Sequence, residues 1–342
     1  MKTVYTPAHE RHRPPTILTR GVEVPHWEVA ERAERLLAAA AAAGHEVVEP
    51  ADYGRAPRAA VHDPGYLAFL ENAWIRWQKL PDPTPAVQPY AHPGRHMHGQ
   101  PSGIEGQAGY YMATGSAPIV EGTWEAAIAA AHAATHAARL VLDGEDAAYA
   151  LCRPPGHHAF SDLGGGFCYL NNIAIAAEYM RRERGRVAVL DFDVHHGNGT
   201  QGIFWRRRDV LFVSLHGDPA DYFPFFAGYA NEIGGGDGRG YTLTLPQPPG
   251  TGDAAFLDAL GTALEAVRHF APEALLVSVG FDAFEADPIG VLKITTPGFG
   301  EIGRRIGRLG LPTVLVQEGG YNIEALGANL SAFLGGFTGG RG

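Results

Sequence analysis

Cysteine is scarce in this chain. Cys152 and Cys168 are the only two in 342 residues. That excludes a disulfide framework and makes both expected buried free thiols in a reducing compartment. Long apolar runs are missing as well. No stretch approaches the ~18–20 consecutive apolar residues of a spanning helix, so no membrane partner is expected. The opening Met1-Lys2-Thr3-Val4-Tyr5 has no apolar signal core, which points to a cytoplasmic location. Positive charge is in deficit, with 27 Lys and Arg against 37 Asp and Glu and a formal net charge of −10. Such a balance argues against a nucleic-acid partner and suits a small cationic substrate. The short runs Arg181-Arg182-x-Arg184 and Arg206-Arg207-Arg208 read as solvated faces.

What remains is globular in composition, 45% hydrophobic and 19% charged, and long enough for a sizeable core. Residues 187–190, 210–215, 274–279, 313–316 and 147–151 are short apolar or β-branched runs that read as buried strands. Segments 172–183 and 253–270 read as helices, as does 298–309, and the alanine-rich 36–43 run sits in a short helix ending at Gly44. This alternation predicts an α/β fold with an open, mostly parallel sheet and helices on both faces. We read residues 1–342 as one domain with an extended Pro-, His- and Gly-rich loop at 81–103. His92, His96 and His98 in that loop read as solvated or interface residues, because no element fixes their spacing.

Ligands in such sheets lie outside the carboxyl ends of the strands. Polar clusters follow all five runs. Val187-Ala188-Val189-Leu190 leads into Asp191-Phe192-Asp193-Val194-His195-His196. Two carboxylates and two imidazoles at a buried strand end need compensation, and a metal ion supplies it. With side chains alternating at period two, 191, 193 and 195 are expected on one strand face and His196 on the other. Asp282, just past 274–279, can complete the set Asp193, His195 and Asp282. Three ligands with an open position is a catalytic zinc pattern, although two carboxylates and one imidazole also accept Fe(II). Asp287 reads as a turn residue before Pro288. Arg153-Pro154-Pro155-Gly156-His157-His158 stiffens the approach to paired imidazoles, and Glu318-Gly319-Gly320-Tyr321 sets a tyrosine hydroxyl where an oxyanion can be met.

These clusters, with Gly166-Phe167-Cys168-Tyr169-Leu170-Asn171-Asn172 and His195-His196-Gly197-Asn198-Gly199-Thr200, closely resemble the zinc deacetylase family. Its members are histone deacetylases and bacterial acetylpolyamine amidohydrolases. The resemblance runs from about His9 to Phe333. It implies the arginase-deacetylase fold with about eight strands. By family position it implies zinc at Asp193, His195 and Asp282, and catalytic roles for His157, His158 and Tyr321. It further implies that Asp191 partners His157 and Asn198 partners His158. A structural potassium ion is implied at Asp191, Asp193, His195, Ser214 and Leu215, with a second at Phe204, Arg207 and Val210. Gly166, Phe167 and Phe223 would line the substrate tunnel. The segment Gly103–Gln107 and the long loop resemble the acetylpolyamine branch, which implies a homodimer, with Glu105 meeting a distal ammonium. Ile17 and Ser116 depart from that pattern, standing where a carboxylate would be natural.

The expected reaction is removal of acetyl groups from acetylated amines, acetylpolyamines or acetylated diamines first. An acyl-lysine deacetylase acting on peptides or small molecules is the alternative. A binuclear manganese ureohydrolase would need further bridging carboxylates, and His196-Gly197-Asn198 supplies none. A non-catalytic binding protein would be expected to lack a ligand or Tyr321, and all are present.

Overall fold

All five runs read as buried strands pair into one sheet in the computed structural model, which describes residues 1–342. Ten strands form in chain order: β1 (Lys2–Val4), β2 (Thr16–Thr19), β3 (Val22–Pro25), β4 (Glu46–Val48), β5 (Ala147–Ala150), β6 (Val187–Asp191), β7 (Val210–Gly217), β8 (Thr242–Gln247), β9 (Ala274–Val279) and β10 (Thr313–Gln317). The helices are α1 (Glu31–Ala42), α2 (Ala56–Ala59), α3 (Pro64–Trp77), α4 (Ile104–Tyr111), α5 (Thr123–Leu142), α6 (Asn172–Arg181), α7 (Asn198–Phe204), α8 (Asp253–Phe270), α9 (Thr296–Gly307) and α10 (Ile323–Arg341). Eight strands make the main sheet in the order β4-β1-β5-β10-β9-β6-β7-β8. Every neighbouring pair in it is parallel. β2 and β3 form a separate antiparallel hairpin.

Alternation along the central strands sorts the core into two layers. Val187 and Val189 of β6 pack with Leu276 of β9 and the alanine face of α5. Ala188 and Leu190 face the other way, with Leu275 and Val277 of β9 and the aromatics of α8, α9 and α10. Both faces of the sheet are therefore covered, as a continuous apolar strand requires.

α10 contains Gly327, Gly335, Gly336, Gly339 and Gly340, a poor helix by propensity. Packing supplies what propensity withholds. A Cβ at Gly336 would collide with the carbonyl of Gly300, and one at Gly303 with the carbonyl of Phe333. The glycines let α9 and α10 touch backbone to backbone.

Two sequence expectations are corrected here. β6 ends at Asp191, so 191, 193 and 195 do not share a strand face. Asp193 and His195 lie on the following loop, which carboxylates hold in shape: the Asp193 amide donates to Asp191 Oδ1 (3.0 Å) and the His195 amide to Asp193 Oδ1 (2.9 Å). The arginine runs are only partly solvated. Arg182, Arg206 and Arg208 are exposed. Arg181 and Arg207 are half-buried, and both pair with Glu178 and Asp209.

Gly303→Ala tests the helix contact. Propensity alone predicts stabilisation of about 1 kcal/mol; the collision predicts a loss of ~1–3 kcal/mol. Thermal denaturation should show a lowered midpoint, and a raised one would contradict the backbone contact.

Candidate active site

β5, β10, β9, β6 and β7 are five consecutive neighbours in the sheet. Their carboxyl ends therefore bring polar clusters from distant parts of the chain to one rim. Asp193 and His195 follow β6, and Asp282 follows β9. One ligand atom from each lies within 4.8 Å of the others, all buried. His195 Nδ1 is 3.1 Å from Asp282 Oδ2 and 3.3 Å from Asp193 Oδ1.

Backbone fixes the two carboxylates. Val194 N–H donates to Asp282 Oδ1 (3.0 Å) and Gly319 N–H to Asp193 Oδ2 (2.8 Å). Gly280 and Gly319 are required for this approach. A Cβ on Gly280 would strike Asp193, and one on Gly319 would strike Asp282. The electrostatics fit a cation. Burial and the neighbouring Asp193 charge push Asp282 up to about 7. Burial opposes a proton on His195, but hydrogen bonds to Asp193 and Asp282 outweigh it and raise that imidazole to about 9. Both shifts run toward the protonated form, the response of a site crowded with negative charge. A metal would replace those protons.

His157 and His158 arrive from the loop after β5, their ring centres 4.1 Å apart. Their partners differ, in the arrangement that the family resemblance implies. His157 Nδ1 lies 2.9 Å from Asp191 Oδ2, and His158 Nδ1 lies 2.7 Å from Asn198 Oδ1. Burial disfavours charge on His157, yet Asp191 and Asp193 raise it to about 10. Burial, with the neighbouring His157 and His195, drives His158 well below the usual imidazole range. One ring holds its charge while the adjacent ring stays neutral.

The groups open into a cavity of about 890 Å³ lined by Ile17, Ser116, His158, Gly166, Phe167, His195, Phe223 and Tyr321, among others. Phe167 stands edge-on to Tyr321 at 5.5 Å, and Phe223 edge-on to His158 at 4.9 Å. Gly166 has φ +54°, and a Cβ there would strike the His158 ring. Burial holds the Tyr321 phenol well above its ordinary range, so it keeps its proton.

Other expected residues fall elsewhere. Ser214 is paired with Asp191 across β6 and β7, and its hydroxyl lies between His196 Nδ1 (3.2 Å) and His216 Nδ1 (2.8 Å). Leu215 is the next residue on β7. His196 is buried away from the three ligand atoms, its placement set by the loop rather than by a strand face. Glu105 is exposed on α4, where its carboxylate accepts from the Tyr90 hydroxyl at 3.3 Å; it does not line this chain's own cavity. His92, His96 and His98 are exposed. Both cysteines are buried and free.

Several supporting residues escape a reading of the sequence. Glu318 Oε2 accepts from the amides of Gly156 (2.7 Å) and His157 (3.1 Å), tying β10 to the histidine pair. Asp287 Oδ2 accepts from the amides of Tyr321 (2.7 Å) and Asn322 (3.1 Å), so this turn residue also braces the tyrosine. Arg32 donates to the carbonyls of Glu318 and Gly320 and lies over the Tyr321 ring. Glu28, fully buried, pairs with both Arg32 (2.7 Å) and Arg153 (2.8 Å). The i,i+4 spacing of Glu28 and Arg32 was the available signal. Tyr222 Oη lies 2.8 Å from His195 Nε2, and nothing in its local sequence marks it.

Asp282→Ala should leave a protein that loses added zinc on dialysis while the wild type keeps it, read by elemental analysis. Equal retention would place the ligand set elsewhere.

Comparison with known proteins agrees with this geometry. Residues 26–337 match the histone deacetylase domain family. The chain is 50% identical over 342 residues to an acetylpolyamine amidohydrolase of Burkholderia pseudomallei, covering 100% of both chains. It is 43% identical over 341 residues to an acetylpolyamine amidohydrolase of Mycoplana ramosa, covering 99% of this chain and 100% of that one. A crystal structure of the acetylpolyamine aminohydrolase from Burkholderia pseudomallei superposes with a TM-score of 0.96 at 50% identity, covering 98% of each chain. The fold is the arginase-deacetylase fold, the site is a buried His/Asp cluster able to hold a metal, and the chain belongs to the histone deacetylase family, as a hydrolase of acetylated amines.

Proposed function

We propose that the chain is a zinc-dependent amidohydrolase that removes acetyl groups from acetylpolyamines or acetylated diamines. The observation that carries this reading is the unequal partnering of His157 and His158 beside the triad Asp193, His195 and Asp282. A zinc ion held by that triad would supply Lewis acidity toward the acetyl carbonyl and the attacking water. Fe(II) suits the same ligands.

The protein groups divide the remaining work. Asn198 Oδ1 can only accept, so His158 carries its proton on Nδ1 and leaves the Nε2 lone pair free. That nitrogen accepts the water's proton and returns it to the departing amine. His157, held charged by Asp191, stabilises the negative charge that develops beside it. The Tyr321 hydroxyl donates to the oxyanion. Phe167 and Phe223 flank the slim methylene chain of the acylated amine.

Further parts of the reading rest on family position. A structural potassium ion would bind at Asp191, Asp193, His195, Ser214 and Leu215. The exposed 81–103 loop and α4 would pair two copies, and Glu105 would then face a substrate's distal ammonium from the dimer rim.

A second reading has its own support. Ile17 and Ser116 leave the cavity without carboxylates there, while Arg20 and Asp221, both exposed, line its mouth with opposite charges. Opposite charges suit the ammonium and carboxylate of free acetyl-lysine.

Two measurements test the chemistry. Tyr321→Phe should lower kcat by roughly 10²–10³, the usual cost of one oxyanion donor; near-normal turnover would remove Tyr321 from the mechanism. Asn198→Asp places a carboxylate on His158 and favours its charged form, so the acid limb of the kcat/KM profile should move up by ~1–3 pH units. An unmoved limb would mean that His158 is not the base. For substrate class, kcat/KM should be compared for acetylputrescine, acetylcadaverine, acetylspermidine, free acetyl-lysine and an acetyl-lysine peptide. A preference above about tenfold, or 1.4 kcal/mol, for either lysine substrate would favour the second reading.

A further inference from the structure

Tyr222 follows the carboxyl end of β7, on the loop that also carries Phe223 to the cavity. Its ring lies nearly parallel to that of His195, at 16° and 4.9 Å. Its hydroxyl makes two contacts, one to the backbone carbonyl of Ile289 and one at 2.8 Å to His195 Nε2. Donor and acceptor roles in this chain of atoms are fixed by chemistry. A carbonyl oxygen only accepts, so the single phenol proton goes to Ile289. Toward His195 the phenol offers a lone pair. His195 Nε2 must then carry a proton.

That assignment settles the other nitrogen. A neutral imidazole has one N–H, and here it is Nε2–H. Nδ1 is left with its lone pair, and Nδ1 is the atom facing Asp282 and Asp193 at 3.1 and 3.3 Å.

We propose that Tyr222 is a positioning residue for metal binding: its hydroxyl, anchored on the Ile289 carbonyl, holds His195 as the Nε2–H tautomer with Nδ1 aimed into the gap between Asp193 and Asp282. The proposal rests on the reading of Asp193, His195 and Asp282 as the ligand set. The contact is stiff at both ends. Ile289 belongs to the segment that Asp287 ties to Tyr321, and Tyr222 packs against Gly217 at the end of β7. A partner on the far nitrogen orients the ring and raises its basicity as a ligand.

Tyr222→Phe tests this directly, because it keeps the stacked ring and removes only the hydroxyl. Zinc affinity should be measured by chelator competition on wild type and variant, with the thermal midpoint of each metal-free protein as a control for folding. The expected result is a zinc affinity weaker by ~10–100-fold with little change in the metal-free midpoint. An affinity within about twofold of wild type overturns the proposal. A wild-type chain that fails to hold zinc overturns the ligand reading and this proposal together; a zinc-binding wild type with an indifferent variant overturns the proposal alone. Should the variant not fold, imidazole ¹⁵N spectra of zinc-loaded wild type carry the test. His195 protonated at Nε2 is the expected pattern, and zinc on Nε2 overturns it.

Discussion

Two buried carboxylates, Asp193 and Asp282, face each other beneath the cavity. Bringing like charges together out of water is costly, and the surrounding structure is arranged around offsetting it. Amides of Val194 and Gly319 donate to them. His195 lies between them, and His157 stands 3.8 Å from Asp193. Glycines at 280 and 319 keep neighbouring chain from occupying the space. Each of these compensations is partial, and together they leave a position suited to a cation.

Behind that position lies a second buried charge system of opposite balance. Arg32 and Arg153 share the single carboxylate of Glu28, and each donates further N–H groups to backbone carbonyls. The guanidinium groups clamp the hairpin-side segments and the Glu318–Gly320 turn against each other. Three buried histidines around them, His9, His12 and His26, are driven toward the neutral form by burial and by Arg153. The acidic centre is thus backed by a rigid, positively charged frame, which limits how far the Tyr321 turn can shift.

Much of this was legible in the sequence because it is written locally. A continuous apolar run ending in Asp or His marks both a strand and its functional end. Asp193, His195, His157 and His158 sit in such contexts, and so do Asp282 and Tyr321. What was not legible depends on distance or on weak local pattern. β1 and β4 are three residues long and mix polar with apolar positions, so no period can be read from them. α10 is held by contact with α9 rather than by its own residues. Tyr222 reaches His195 across 27 residues that include α7 and β7, from a loop with no repeat. The strand-face argument for Asp193 and His195 fails, although the two residues do cluster: carboxylate-to-amide hydrogen bonds in a loop, not period two, bring them together.

The order of the sheet has a consequence for how the protein comes to exist. β10, last of the strands in sequence, lies between β5 and β9 near the middle of the sheet. The cluster from 150–158 and the clusters from 191–195 and 282 therefore sit on separate half-sheets until this final strand is inserted. Until β10 is made, the edges of β5 and β9 that it joins lack their native partner. Such non-local closure is slow and exposed to aggregation. β10 acts as a keystone: its insertion brings the histidine pair after β5 to the carboxylates after β6 and β9.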